Sequence, residues 1–200
     1  MSTYINPRAW ALFTLLSLLT TPNAMARSAG MDIAADGASL HYIGAPVERK
    51  RGGRWGHYTP TYRLHYAQAT APRNLLLSAD AEFHRFSKTI AGNYQLHGKT
   101  YLLGAEYHDQ RLLALGFGGL LRTPPRKRWP VTTQLEVFGA PQATTLFRGN
   151  YVWGVTLQGD YPLPNDNALI VGFRKIKMGV NDVSDTSYQN SVYFGLTSHF

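Results

Sequence analysis

Hydrophobic and polar residues alternate along most of this chain with a period of two. The run Tyr188–Phe200 is the clearest case: Val192, Phe194, Leu196, Ser198 and Phe200 fall on one side, and Gln189, Ser191, Tyr193, Gly195, Thr197 and His199 on the other. Successive side chains of an extended strand point to opposite faces, so this pattern predicts a strand between an oily phase and a wet one. It recurs in His57–Ala67, Asn74–Arg85, Gln95–His108, Arg111–Arg122, Trp129–Ala140, Asn150–Tyr161 and Ala168–Lys177. In Asn74–Arg85, Leu75, Leu77, Ala79, Ala81 and Phe83 oppose Leu76, Ser78, Asp80, Glu82 and His84. In Gln95–His108, the pattern sets Tyr101, Leu103, Ala105 and Tyr107 on the apolar side, against Thr100, Leu102, Gly104, Glu106 and His108.

Runs of roughly ten residues are long enough to cross a bilayer at a steep tilt, and no helix-period segment interrupts them. Aromatic residues gather near the run ends (Tyr58, Tyr66, Tyr107, Trp129, Tyr151, Tyr161), where interfacial girdles would sit. The expected fold is therefore all-β: an antiparallel transmembrane β-barrel. Eight strands suit the length of residues 27–200, and the first segments are the least regular. Ten is the alternative, if the Asp36-Gly37 hairpin signal between Ile33–Ala35 and Ser39–Ile43 makes a short tenth strand. The segments Pro46–Gly56, Gln68–Arg73, Thr123–Arg128, Pro141–Gly149 and Met178–Ser187 read as connections, and Asp109-Gln110 as a tight turn. Pro60 lacks an N–H to donate, so it should lie near a strand end or bulge.

The amino terminus has another character. Arg8 precedes an apolar run, Ala9–Leu19, and Ala24-Met25-Ala26 has the small-x-small form of a cleavage site. Residues 1–26 read as a secretory signal peptide, too short in its apolar core to span a membrane as a helix, leaving 27–200 as the barrel. Charged residues make up only 16% of the chain, and cysteine is absent, which removes disulfides and thiol chemistry. The net charge of +8 suits anionic lipid phosphates, and an exported chain has little use for nucleic acid. The basic sets Arg49–Arg54 and Arg126–Arg128 lie between runs, as solvated connections or as contacts to lipopolysaccharide phosphates.

If the apolar set faces lipid, the other set fills the lumen. Arg63, Asp80, Glu82, Glu106, Arg122, Glu136, Asp160 and Arg174 then form a lumenal ion network, with His65, His84 and His108 beside them. A charge in hydrocarbon costs several kcal/mol, so finding both signs on one side is a check on the assignment. A rough register puts Glu136 and Arg174 at neighbouring levels, which predicts that they share a network. Asp80, Glu82 and His84, and likewise Glu106 and His108, have spacing that could reach one metal ion, but an inward face generates that spacing automatically. Ser198 and His199 are strand neighbours pointing to opposite faces and cannot cooperate as nucleophile and base. The sequence has no phosphate-binding glycine loop, no H-E-x-x-H and no G-x-S-x-G, and no cofactor is expected.

The second half resembles the YfaZ family of outer-membrane proteins. The resemblance rests on Leu135-Glu136-Val137-Phe138-Gly139-Ala140-Pro141, on Tyr161-Pro162 and Gly172-Phe173-Arg174, and on the closing strand from Tyr193-Phe194-Gly195 to Phe200. It covers Leu113 to Phe200; the basic segment Pro46–Gly56 has no counterpart in it. It implies an outer-membrane barrel and no particular activity. The expected role is that of a small, non-enzymatic barrel of structural, interaction or narrow-channel type, with a lipid-binding or lipid-modifying barrel as the alternative. Val192, Phe194, Leu196 and Phe200 would also serve as the ending recognised by the barrel-assembly machinery.

Overall fold

Residues that alternate in the sequence alternate in space. The computed structural model describes residues 26–51, 54–67, 74–90, 94–107, 110–125, 130–147, 149–180 and 183–200. The strands are β1 (Ala26–Ala34), β2 (Gly37–Gly44), β3 (Val47–Arg51), β4 (Arg54–Ala67), β5 (Asn74–Ile90) and β6 (Tyr94–Tyr107). They continue as β7 (Gln110–Thr123), β8 (Thr132–Ala140), β9 (Thr145–Phe147), β10 (Gly149–Leu163), β11 (Asn167–Val180) and β12 (Val183–His199). The signal-peptide reading and the Asp109 and Arg126–Arg128 assignments lie outside the described residues.

Ten strands close a ring in the order β2-β1-β12-β11-β10-β8-β7-β6-β5-β4, and β2 pairs with β4 to complete it. Every pairing is antiparallel. Closure gives each of the ten strands a neighbour on both sides, the way a barrel removes the open edges of a sheet. The expected count of eight is thus corrected to ten. The Asp36-Gly37 hairpin is the missing pair, with Ile33 opposite Phe194 and Leu40 opposite Leu64. Its first strand was hard to see because Ala, Gly and Ser give the alternation little contrast.

The two ends differ. Both termini of the barrel lie together at one, the terminal end, where Ser28 pairs with His199 and the Phe200 N–H donates to the Arg27 carbonyl at 3.1 Å. The β1–β2 turn lies at the opposite, far end, with the paired strand ends Ala67 and Asn74, Tyr107 and Gln110, and Val180 and Val183. At the terminal end, the expected connection Pro46–Gly56 is instead occupied by strand: β3 pairs with the first residues of β4, with Val47 opposite Tyr58. Pro60 sits where the neighbouring strand breaks between β2 and β3, so its missing N–H leaves no gap in the ladder. Gly44 packs against it; a β-carbon there would stand 2.8 Å from Pro60 Cγ. At the far end, β8 covers β7 only between Phe117 and Thr123, and β9 covers Leu112–Ala114.

The outer wall is apolar and the inner wall carries the charge. Leu102, Phe117 and Phe194 are 51%, 54% and 60% exposed, and Val171 and Leu157 also face outward. Asp32, Asp80, Glu82, Lys99, Glu136 and Arg174 are all buried in the lumen. The faces follow the alternation on every long run except one. On β6 the expected assignment is inverted: Tyr101, Leu103 and Ala105 are buried inside, and Leu102 lies outside. Leucines occupy both faces there, and the charges decide. Lys99 shares its parity with Tyr101, and on the inside it meets the carboxylates of Asp80 and Glu136.

Candidate functional site: a layered, blind lumen

The lumen is stacked in three layers. Toward the far end, Leu76, Leu103, Leu112, Phe138, Ile176 and Met178 belong to an apolar plug. Tyr188 joins it from a bulge: Ile176 pairs with Gln189 and Lys177 with Ser187, so Tyr188 is the extra residue and turns inward. Its hydroxyl donates to the His65 carbonyl at 3.3 Å.

Two charged clusters form the middle layer. In the first, Glu136 receives three hydrogen bonds: from Arg63 through both terminal nitrogens at 3.3 and 3.4 Å, and from the Tyr101 hydroxyl at 2.9 Å. A second cation, Lys99 Nζ, lies 3.2 Å from Glu136 Oε1 and 2.8 Å from Asp80 Oδ1. The Tyr101 ring stacks on Phe138 at 4.9 Å between centroids, joining this cluster to the plug. In the second cluster, Arg174 grips Asp32 in bidentate fashion at 3.1 and 3.2 Å and donates to Ser39 Oγ at 2.8 Å. Its guanidinium lies 4.3 Å from the Tyr193 ring centroid. Two cations and two carboxylates share the first cluster and one of each the second, which is how charges persist in a filled interior.

The third layer is a cup open at the terminal end, a cavity of about 520 Å³ lined by His41, Thr61, Arg122, Gln134, Asp160 and His199, among others. A chain of polar contacts runs along its wall. Tyr193 donates to Gln158 at 2.8 Å, Gln158 donates to Asp160 at 2.6 Å, and Gln134 donates to the other Asp160 oxygen. Arg122 then bridges Gln134 at 3.4 Å and Glu82 at 3.8 Å, and His97 stands 3.0 Å from Glu82. Between the charged layer and the plug lies a void of about 10 Å³, room for about one water.

The eight residues expected to form one lumenal network are therefore distributed. Arg63, Asp80 and Glu136 meet in the first cluster. Arg174 is in the second, and Glu82, Arg122 and Asp160 line the cup. Glu106 is corrected to the outer wall, because it has the opposite parity to buried Ala105; it pairs across strands with Arg111 at the far end. The expected joining of Glu136 and Arg174 is replaced by separate partners, Arg63 and Lys99 for one and Asp32 for the other. Sequence reasoning missed Asp32 and Lys99. Val192, Phe194 and Leu196 face outward on β12, and Phe200 is 77% exposed.

One pair resembles catalytic chemistry: Ser39 Oγ lies 2.8 Å from His65 Nδ1. Arg174 occupies both groups, standing 3.2 Å from the same imidazole nitrogen, and Asp32 is bound to the arginine. A cation at that nitrogen opposes its taking a proton from the serine, so the pair is built for cohesion. Among the described residues no group of three or more potential ligands could hold a metal ion. Asp80 is bound to Lys99 and Glu82 contacts His97; the side chains of His84 and His108 lie outside the described residues.

No protein-family model and no curated protein matches the chain. Among solved structures it is similar to one from work on the mechanism of in-meso crystallization of membrane proteins, at 11% identity and a TM-score of 0.36. The match covers 88% of this chain and 83% of that one, and a likeness of this size says nothing about role, ligand or partner.

Proposed function

We propose that this chain is an exported outer-membrane β-barrel of structural or binding type, with a lumen blind at the far end and no chemistry of its own. The observation that carries the reading is the reversal of faces: apolar side chains such as Phe117 and Phe194 stand exposed outside, while Asp80, Lys99, Glu136 and Arg174 are buried inside. In water an apolar wall on this scale would drive aggregation; in a bilayer it is the side that belongs in the hydrocarbon. The plug argues against a conducting path, and the terminal-end cup against a purely inert filling.

In this reading the terminal end faces the periplasm, β12 closes the barrel, and Phe200 is offered to the assembly machinery. The likeness of Leu113–Phe200 to YfaZ-type barrels belongs to the same proposal. The test is mobility on a denaturing gel with and without boiling, on protein taken from separated inner and outer membranes. Heat-modifiable protein in the outer-membrane fraction is expected; identical migration, or protein in the soluble fraction, would overturn the reading.

A further inference from the structure

The described part of the outer wall carries very few charges, and their placement is uneven. On the described outward-facing strand positions between the two mouths, the charged residues are Glu106, Arg111, Lys175 and Lys177, all toward the far end. Lys175 and Lys177 lie on one face of β11, two residues and so roughly 7 Å apart. Lys175 is opposite Val155, and Lys177 is opposite Trp153, whose ring centroid lies 5.9 Å from Lys177 Nζ. Neither lysine has an ion-pair partner among the described residues. Tyr151, opposite Gly179, is the next outward position toward the far end, so two aromatics neighbour the lysines, as in an interfacial girdle.

The described basic connection that the sequence offered for lipid phosphates is at the terminal end, not the far end. β3 and the start of β4, which carry Arg49, Lys50, Arg51 and Arg54, extend the barrel at the terminal end. The Thr123 end of β7 and the Thr132 end of β8, which flank Arg126–Arg128 in the sequence, lie at that end too. With that end in the periplasm, as proposed above, the strands that carry Arg49, Lys50, Arg51 and Arg54 lie away from the outer leaflet. We propose that Lys175 and Lys177, backed by Trp153, form a site on the outer wall for the phosphate groups of a phosphorylated glycolipid of the outer leaflet. A lysine stem lying along apolar wall with its ammonium reaching the headgroup level suits this role, and the indole holds one ammonium in place. The acyl chains would lie against Phe173, Val171 and Val155 below.

This inference rests on the outer-membrane reading, and the experiment separates the two. Purified protein and the Lys175→Gln/Lys177→Gln variant are first checked for heat-modifiable folding and insertion into phosphatidylcholine vesicles. Retention of a bisphosphorylated lipid A is then measured by native mass spectrometry, against the same lipid after phosphatase treatment and against inorganic phosphate. Expected is retention of the phosphorylated lipid by the wild type, weakened about fivefold by loss of each lysine and roughly 30-fold by loss of both. An Arg111→Gln control should change retention little.

Equal retention by the double variant, or of the dephosphorylated lipid by the wild type, overturns the site while leaving the membrane reading intact. Competition by inorganic phosphate alone assigns the lysines to a free anion and overturns the lipid assignment. Failure of the wild type to insert overturns both.

Discussion

Glu136 is the residue on which the lumen most depends, because Arg63, Lys99 and Tyr101 all converge on its carboxylate. Removing one member of a buried, hydrogen-bonded charge group leaves the others uncompensated, at a cost of about 3–5 kcal/mol. Glu136→Gln is therefore expected to lower unfolding free energy in lipid vesicles by that amount, and Glu106→Gln, on the outer wall, by under about 0.5 kcal/mol. Urea titrations of refolded protein compare the two; equal losses would contradict the assignment of faces. Asp80, Glu82 and Glu136 were legible as inward residues because each is flanked in its strand by apolar outward neighbours. Lys99 was not, although it carried the signal. In a run with leucines on both faces, the parity of the charge tells more than the parity of the aromatics. The far half of this lumen is itself apolar, so the rule that oily residues face lipid fails there. Asp32 was lost for another reason, in a segment of small residues with almost no contrast. Of the three glycines of β7, Gly118 is the most constrained: a β-carbon would meet the Val137 carbonyl oxygen at 2.2 Å.

At the scale of elements, the first hairpin sets the strand number. β1 and β2 stand between β12 and β4, and without them those two strands would have to pair directly. The β2–β4 register places Leu40 opposite Leu64, both on the outer wall. Antiparallel neighbours directly opposite lie within the span a disulfide requires, and the chain has no cysteine to confuse the result. Leu40→Cys/Leu64→Cys, oxidised in the folded state, is expected to cross-link and change gel mobility. Absence of the cross-link, or a link from position 64 to β12 in a Leu64→Cys/Leu196→Cys variant, would restore the eight-stranded barrel. The long strands were visible in sequence because an apolar outer wall and a largely polar, filled lumen enforce strict alternation. β3 was hidden by its charge, which resembles that of a loop, and β9 by its shortness. The β10–β11 turn uses residue types suited to it: Asn165 and Asp166 take left-handed backbone conformations at φ 60° and 55°.

For the whole molecule, function turns on which surface meets which phase. A wall of Leu, Phe and Val around a charged lumen, open at one end as a cup and plugged at the other, is coherent in a bilayer and incoherent in water. The most direct measurement places an environment-sensitive fluorophore on single cysteines at Leu102, Phe117 and Phe194 on the wall, and at Thr61 and Thr197 in the cup. Each labelled protein is folded into vesicles whose acyl chains carry a quencher, with iodide added separately to the water. The wall positions are expected to be quenched by the acyl chains and shielded from iodide, and the cup positions the reverse. Acyl-chain quenching at Thr61 and Thr197, with iodide reaching Phe117 and Phe194, would contradict the account at its centre.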